Sequence, residues 1–325
     1  MPLFNPQTDM VDLRGKVAVV TGGNRGIGYG TVLHLARAGA KVYLAARDET
    51  KANEAIAQLT REGLQPGNGE IVWLKMNLDD PREAKKAAEE LMGREKRLDI
   101  LVNNAGVSLR NGHDKVRGVA LNSRHIFNNI RSYLSPFVFT ETLLPLMTMT
   151  AVKEDESDVR IVNVSSIVHK LTPSPLKLEG IDDLCVEYKG KFMSGFRQYA
   201  HSKLLDIMWS KHLQRRLDAA DPAVPITVIT IHPGGVDTFT DTWPLQWLTK
   251  PLVRLAIKSP ERGAYTSAFA AAGKIVRDER DKYRGTYLES SPVGRIATPS
   301  SDALSEAAGE QLYTLTQLFL AGIGL

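Results

Sequence analysis

Short runs of apolar, β-branched residues recur along this chain, each followed by a stretch with helical spacing. Lys16–Thr21 (KVAVVT) is flanked by Gly15 and Gly22. Ile27, Val32, Leu33, Leu35 and Ala36 then repeat at helical intervals up to Gly39. Lys41–Ala46, Glu70–Met76, Leu98–Asn103, Val159–Val164 and Ile226–His232 read as further strands, and Gly285–Leu288 as a seventh. Thr50–Leu64 reads as a helix, and so does the stretch from Pro81 to about Arg94, where Asp79-Asp80-Pro81 supplies a cap and a first-turn proline. Continuous apolar runs suit strands buried on both faces, and strands alternating with helices imply βαβ units. The expected fold class is α/β, a single doubly wound parallel sheet of Rossmann type with ligands at the carboxyl ends of its strands.

At 325 residues the chain is long enough for two domains. No Pro/Gly/Ser linker divides it, so one domain over 1–325 is expected, with its core at about 14–240. A lid at about 237–260 and a C-terminal extension at about 290–325, helical over Ala303–Leu320, take up the surplus. With 41 basic and 37 acidic side chains the formal charge is +4, too small over this length to argue for a nucleic-acid partner. A lone cysteine, Cys185, excludes an internal disulfide and a multi-cysteine zinc site. The N-terminus lacks a secretory pattern and no window reaches 18 uninterrupted apolar residues, so the expected location is cytoplasmic.

Thr21-Gly22-Gly23-Asn24-Arg25-Gly26-Ile27-Gly28 falls where the first strand meets the first helix. Glycines there allow a tight turn and close approach of backbone to a pyrophosphate, which the helix N-terminus attracts. The end of the second strand bears on the ribose. An acidic residue there bonds the ribose hydroxyls, whereas arginine accommodates a 2′-phosphate. Arg47 occupies that position and Arg25 lies in the loop, which favours NADP(H). Asp48 follows immediately and keeps NAD(H) open, with Arg47 then a solvated charge.

Asn103-Asn104-Ala105-Gly106 ends the fourth strand, Asn163-Val164-Ser165-Ser166 the fifth, and Tyr199-Ala200-His201-Ser202-Lys203 follows. Tyr199 and Lys203, four apart, share a helix face. A free tyrosine has a pKa of about 10, and a neighbouring ammonium stabilises its anion. Such a pair exchanges a proton with a substrate oxygen that a serine hydroxyl steadies. In this order, with the glycine loop, these motifs resemble the short-chain dehydrogenase/reductase family over about residues 14–240. The style of the segments looks most like its retinol-dehydrogenase-like branch and fungal homologues. The resemblance implies Ser166, rather than Ser165, as the catalytic serine and a bond from Lys203 to the nicotinamide ribose. It places Thr21, Gly22, Asn24, Arg25, Gly26, Ile27, Gly28, Arg47, Asn77, Leu78, Asn103, Ala105, Gly106, Tyr199 and Lys203 at the cofactor. His232-Pro233-Gly234-Gly235-Val236-Asp237-Thr238 matches a further family motif, adding Pro233, Gly234, Val236 and Thr238 beside the nicotinamide. His201 and His232 read as supporting residues.

Two positions depart from the pattern. Ser132 stands where the family carries an asparagine that orders a relay water, with Asn128 and Asn129 one turn earlier; Ser132 is taken as the fourth catalytic residue because a hydroxyl also bonds water. Asn77 stands where an aspartate touching adenine is usual. The gap from Ser166 to Tyr199 is 33 residues. With Trp243, Trp247, Leu248, Leu252, Val253 and Leu255 beyond it, this gap suggests a roof over a lipophilic substrate. The same residues suit a peripheral membrane or lipid-droplet contact, and a lid packed on its own core is the competing reading. The resemblance also allows a homo-oligomer paired through the helices after the fourth and fifth strands. The expected activity is NADP(H)-dependent interconversion of a lipophilic alcohol and its ketone or aldehyde, as in a ketoreductase of secondary or lipid metabolism. The alternative is a nucleotide-binding protein with little turnover because of Ser132.

Overall fold

The computed structural model describes residues 4–106, 130–153, 157–186, 188, 190–234 and 259–325. β1 (Val17–Thr21) is buried at every position and pairs in parallel with β2 (Lys41–Ala46) on one side and β4 (Ile100–Asn103) on the other. With neighbours on both edges and cores on both faces, such a strand has no solvent side. Its alternate residues divide between two cores: Val17 and Val19 enter one, Ala18 and Val20 the other. β3 (Ile71–Lys75), β5 (Val159–Val164), β6 (Ile226–Ile231), β7 (Tyr287–Ser290) and β8 (Val293–Ala297) complete an eight-stranded sheet in the order β3-β2-β1-β4-β5-β6-β7-β8. The expected doubly wound α/β sheet is present. Its order reverses between β1 and β4, the crevice where open sheets of this kind hold ligands.

α1 (Gly26–Arg37), α2 (Glu49–Glu62) and the later α6 (Tyr265–Ala272) supply one core, while α3 (Pro81–Arg94), α4 (Ser135–Lys153), α5 (Ser194–Asp218) and α7 (Glu306–Gly322) supply the other. Asp80 caps α3 by accepting from Arg82 N–H at 2.9 Å, and Pro81 opens it. The middle of α5 is fixed by Trp209, whose ring meets Tyr133 and Phe137 with centroids 6.2 Å and 5.6 Å away.

The structure corrects three boundaries. β4 begins at Ile100 rather than Leu98: Leu98 N–H donates to Thr150 Oγ1 of α4, and at Asp99 the side-chain carboxylate accepts from Val17 N–H. The strand expected at Gly285–Leu288 runs over Tyr287–Ser290 and turns back into the antiparallel β8, which the sequence pattern does not announce. The tail is not one helix over Ala303–Leu320: it breaks at Ser305, whose hydroxyl caps α7 by accepting from Ala308 N–H at 3.2 Å. The expected lid positions at 237–258 lie outside the described residues. Among the described residues, no helix is long and apolar enough to cross a membrane.

Candidate active site

The loop between β1 and α1 is shaped by what glycine permits. Gly22 and Gly26 have φ of +67° and +56°, in the left-handed region. A Cβ on Gly28 would stand 2.4 Å from Gly22 O and 2.5 Å from Asn104 Nδ2, whereas one on Gly26 would meet open space. The loop is bolted to the end of β4: Thr21 Oγ1 accepts from Asn104 N–H (3.0 Å) and Ala105 N–H (2.9 Å), and Asn104 Nδ2 donates to Thr21 O (2.8 Å). Thr21 and the Ala105 amide therefore hold the loop's shape. Arg25, in extended backbone and exposed, precedes α1 without a side-chain cap, so the first-turn amides of α1 are not capped by it. Asn24 is half-buried beside it. A tight glycine turn opening outward at Gly26, ahead of helix amides that the Arg25 side chain does not cap, fits a dinucleotide pyrophosphate.

At the ends of β2 and β3, Arg47 Nη1 donates to Asp79 Oδ2 at 2.8 Å and Arg131 pairs with the other oxygen of the same carboxylate. The Arg47 side chain is 63% exposed. Asp48 is occupied by the backbone instead, its carboxylate accepting from Lys51 N–H at 3.1 Å and capping α2. That bond holds the Asp48 carboxyl below its usual pKa. Asn77 Oδ1 accepts from Asp79 N–H (3.2 Å) and shapes the same turn, while Leu78 O accepts from Ser135 Oγ (2.9 Å) and ties β3 to α4.

On the other side of the crevice, Ser165 and Ser166 end β5. Ser165 Oγ donates to Lys203 O at 2.7 Å and locks the strand to α5. Ser166 is buried and caps the following turn through a long 3.5 Å bond from Val168 N–H. Ser132 is buried in a π-helical turn, Ile130–Leu134, that leads into α4. Such turns are rare in helices and cluster at functional sites. Tyr199 and Lys203 lie on one face of α5, with Lys203 Nζ 5.8 Å from the centre of the tyrosine ring. A Cβ on Gly106 would meet Lys203 Nζ at 3.5 Å and Ser132 Oγ at 3.9 Å, so the segment after β4, the turn before α4 and the first half of α5 converge on one point.

Lys203 is buried and donates to Val164 O (2.8 Å) and Asp206 Oδ2 (2.9 Å). Burial pulls this ammonium toward its neutral form, but Asp206 and Tyr199 outweigh it and the lysine stands above its usual pKa. Burial pushes Asp206 the other way, up to about 6, against the pull of Lys203. Sequence reasoning missed Asp206. The signal is its spacing, three residues beyond Lys203 on the same helix face.

Asn103 turns inward: its Nδ2 donates to Thr140 Oγ1 (2.9 Å) and Asn163 Oδ1 (2.8 Å), deep in the polar core behind the site. His201 is fully buried, bonded to Asp183 O at 3.1 Å, and burial lowers its pKa to about 4, so it is a neutral packing residue. His232 N–H donates to Leu288 O at 2.7 Å, and Pro233 is buried behind it. Gly234, with φ +90°, lies so close to β7 that a Cβ would stand 2.4 Å from Ser290 Oγ. Val236, Thr238, Asn128, Asn129 and the tryptophans Trp243 and Trp247 lie outside the described residues.

Known proteins bear on this arrangement. A family profile described as short chain dehydrogenase matches residues 16–175. A short-chain dehydrogenase/reductase of Armillaria gallica is 40% identical over 97% of this chain and 95% of its own. Retinol dehydrogenase 11 of Mus musculus is 34% identical over 81% of this chain and 75% of its own. Among solved structures, a blue fluorescent protein from a metagenomic library, in complex with NADPH, superposes with a TM-score of 0.60 at 25% identity, over 86% of this chain and 97% of that one.

Proposed function

We propose, from the premise that this chain belongs to the short-chain dehydrogenase/reductase family and resembles its retinol-dehydrogenase-like branch, that it interconverts a lipophilic alcohol and its ketone or aldehyde using NADP(H). The observation that carries this reading is the convergence of a buried ammonium, Lys203, with Tyr199, Ser132 and the end of β5 that bears Ser166.

When bound, the nicotinamide cofactor supplies or accepts the hydride. Every other part of the reaction falls to the chain. Ser166 donates its hydroxyl to the substrate oxygen and steadies charge developing there. Tyr199 gives its phenolic proton to that oxygen in reduction and takes it back in oxidation. Lys203, held charged, stabilises the tyrosinate form. Ser132 bonds a water beside Lys203 through its hydroxyl. Thr21, Gly22 and Gly28 hold the loop in shape, leaving the backbone at Asn24–Ile27 for the pyrophosphate.

NADP(H) is preferred because Asp48 is engaged in capping α2, whereas Arg47 presents an exposed guanidinium at the strand end. The NADPH carried by the metagenomic relative agrees with this choice. A lipophilic substrate is favoured by the segment between Ser166 and α5. Ile167, Leu171, Phe192 and Met193 there are exposed, Phe192 to 84%. The same exposed residues favour a peripheral contact with membrane or lipid droplet.

The test is NADPH oxidation with decan-2-one and decanal, followed at 340 nm, in wild type and Tyr199→Phe. Loss of the phenol is expected to cost about two to four orders of magnitude in turnover while NADPH still binds. Equal turnover in the variant would exclude Tyr199 as the proton donor.

A further inference from the structure

Tyr199, Lys203 and Asp206 follow one another at i, i+4 and i+7 on α5, a single stripe with Asp206 on the far side of Lys203 from Tyr199. The side chains of Lys203 and Asp206 keep only 4% and 5% of their surface. An ammonium has three N–H donors. Two are committed, to Val164 O and to Asp206 Oδ2, which leaves one for the side where Gly106 and Ser132 lie. Asp206 is itself anchored from behind. Its carbonyl accepts from Ser210 Oγ (2.6 Å), Ser210 Oγ accepts from Asn163 Nδ2 (2.7 Å), and Asn163 Oδ1 accepts from Asn103 Nδ2 (2.8 Å). This chain of bonds crosses from α5 through β5 to β4 and fixes Asp206 against the ends of the strands that bear the site.

The geometry points to Asp206 as a positioning residue for the reaction: its carboxylate keeps Lys203 charged and aimed at Tyr199, in an interior where a lone ammonium sheds its proton. The inference rests on the Tyr199–Lys203 chemistry proposed above. A fully buried lysine without a partner loses its charge several pH units below its usual pKa, and an opposite charge at contact distance restores it. Among the described residues, other ionisable groups packed around this stripe are engaged elsewhere. Tyr133, in the turn before α4, bonds Thr316 of α7 at 2.8 Å, and burial, with Asp206 adding to it, keeps its phenol neutral. Arg131 in that turn pairs with Asp79. On the turn after β5, His169 bonds Ser166 O and Ser300 N–H, and Lys170 approaches Glu289 at 4.0 Å. On α7, Glu310 faces His212.

The test compares wild type, Asp206→Asn and Asp206→Glu, each saturated with NADP+ and each checked for an unchanged fold by circular dichroism. The Lys203 charge is read directly from its 13Cε resonance, assigned by its loss in Lys203→Arg, between about pH 6 and 10. In wild type it should remain charged across this range. In Asp206→Asn it should titrate at least about one unit below wild type, and Asp206→Glu should restore it in part. In parallel, the pH dependence of decan-2-ol oxidation should rise at higher pH in Asp206→Asn, by about one unit, with a neutral-pH rate lower by about tenfold. A lysine that keeps its charge in Asp206→Asn overturns the inference. So does a rate profile that moves to lower pH, which would mean that Asp206 merely damps Lys203. An inactive wild type, or an active Tyr199→Phe, defeats the proposed reaction instead, and the resonance still reports on Asp206.

Discussion

Asp79 holds Arg47 and Arg131 at the rim of the sheet, with most of the Arg47 side chain in solvent, whereas Asp206 holds Lys203 with both partners shut away from it. Water screens the Arg47–Asp79 pair, so it has little net stability and the Arg47 arm is easily re-aimed, while Arg131, with 20% of its side chain exposed, keeps the other carboxylate oxygen. A phosphate entering that cluster gains Arg47 without dismantling anything the fold depends on. The second arrangement has no such freedom. Two buried charges were desolvated during folding, and either one alone is a heavy penalty. The rim pair suits a residue that must meet a ligand, and the buried pair suits one that must already be in its working state.

Removing a partner separates the two most sharply. Asp206→Ala leaves an uncompensated buried ammonium and should cost about 3–5 kcal/mol of stability in urea unfolding. Losing less than about 1 kcal/mol would mean that the pair is no more than a surface contact in energetic terms. A smaller effect is expected at the rim, and in affinity rather than stability. Arg47→Ala should weaken NADPH binding about 10- to 100-fold, the value of one or two hydrogen bonds to a charged group, while NADH changes little. Isothermal titration of both cofactors reads this, and equal affinities for the two in wild type would remove the basis for the NADP(H) preference. The smallest response should be the stability change in Arg47→Ala, about 1 kcal/mol or less in urea unfolding and shrinking further in high salt, because its pair with Asp79 is exposed.

How much of this was legible in the sequence differs between the same two regions. The glycine loop and Arg47 were readable because turns and strand ends are local events with fixed residue preferences, whereas Asp48, read as a possible ribose ligand, caps α2 in the structure. The Tyr199–Lys203 pair was readable from a spacing of four. Asp206 was not, although it stands three residues further along the same face. An aspartate in a helix ordinarily reads as a solvated charge, and only the packing of α5 against β5 and β6 makes it interior. The family resemblance put Asn103 among the cofactor contacts. The structure turns its side chain inward to Asn163 and Thr140, a partnership across 60 and 37 residues of sequence that no local pattern carries. β8 escaped for a related reason: Gly294 and Arg295 interrupt its five residues, and antiparallel pairing with β7 is what makes them a strand.

That last strand also settles how the sheet ends. An edge strand presents unpaired N–H and C=O groups to any other extended chain. β8 is a poor template for one. Its pairing with β7 slips at Glu289/Ser290, Gly294 takes φ +79° with no room for a side chain beside the Phe269 ring, and the Arg295 side chain reaches back to Glu289. A neighbouring molecule seeking to add a strand there meets a kinked and interrupted border, so the way that sheets most readily run together into aggregates is obstructed at this margin by the chain's own final turn-back.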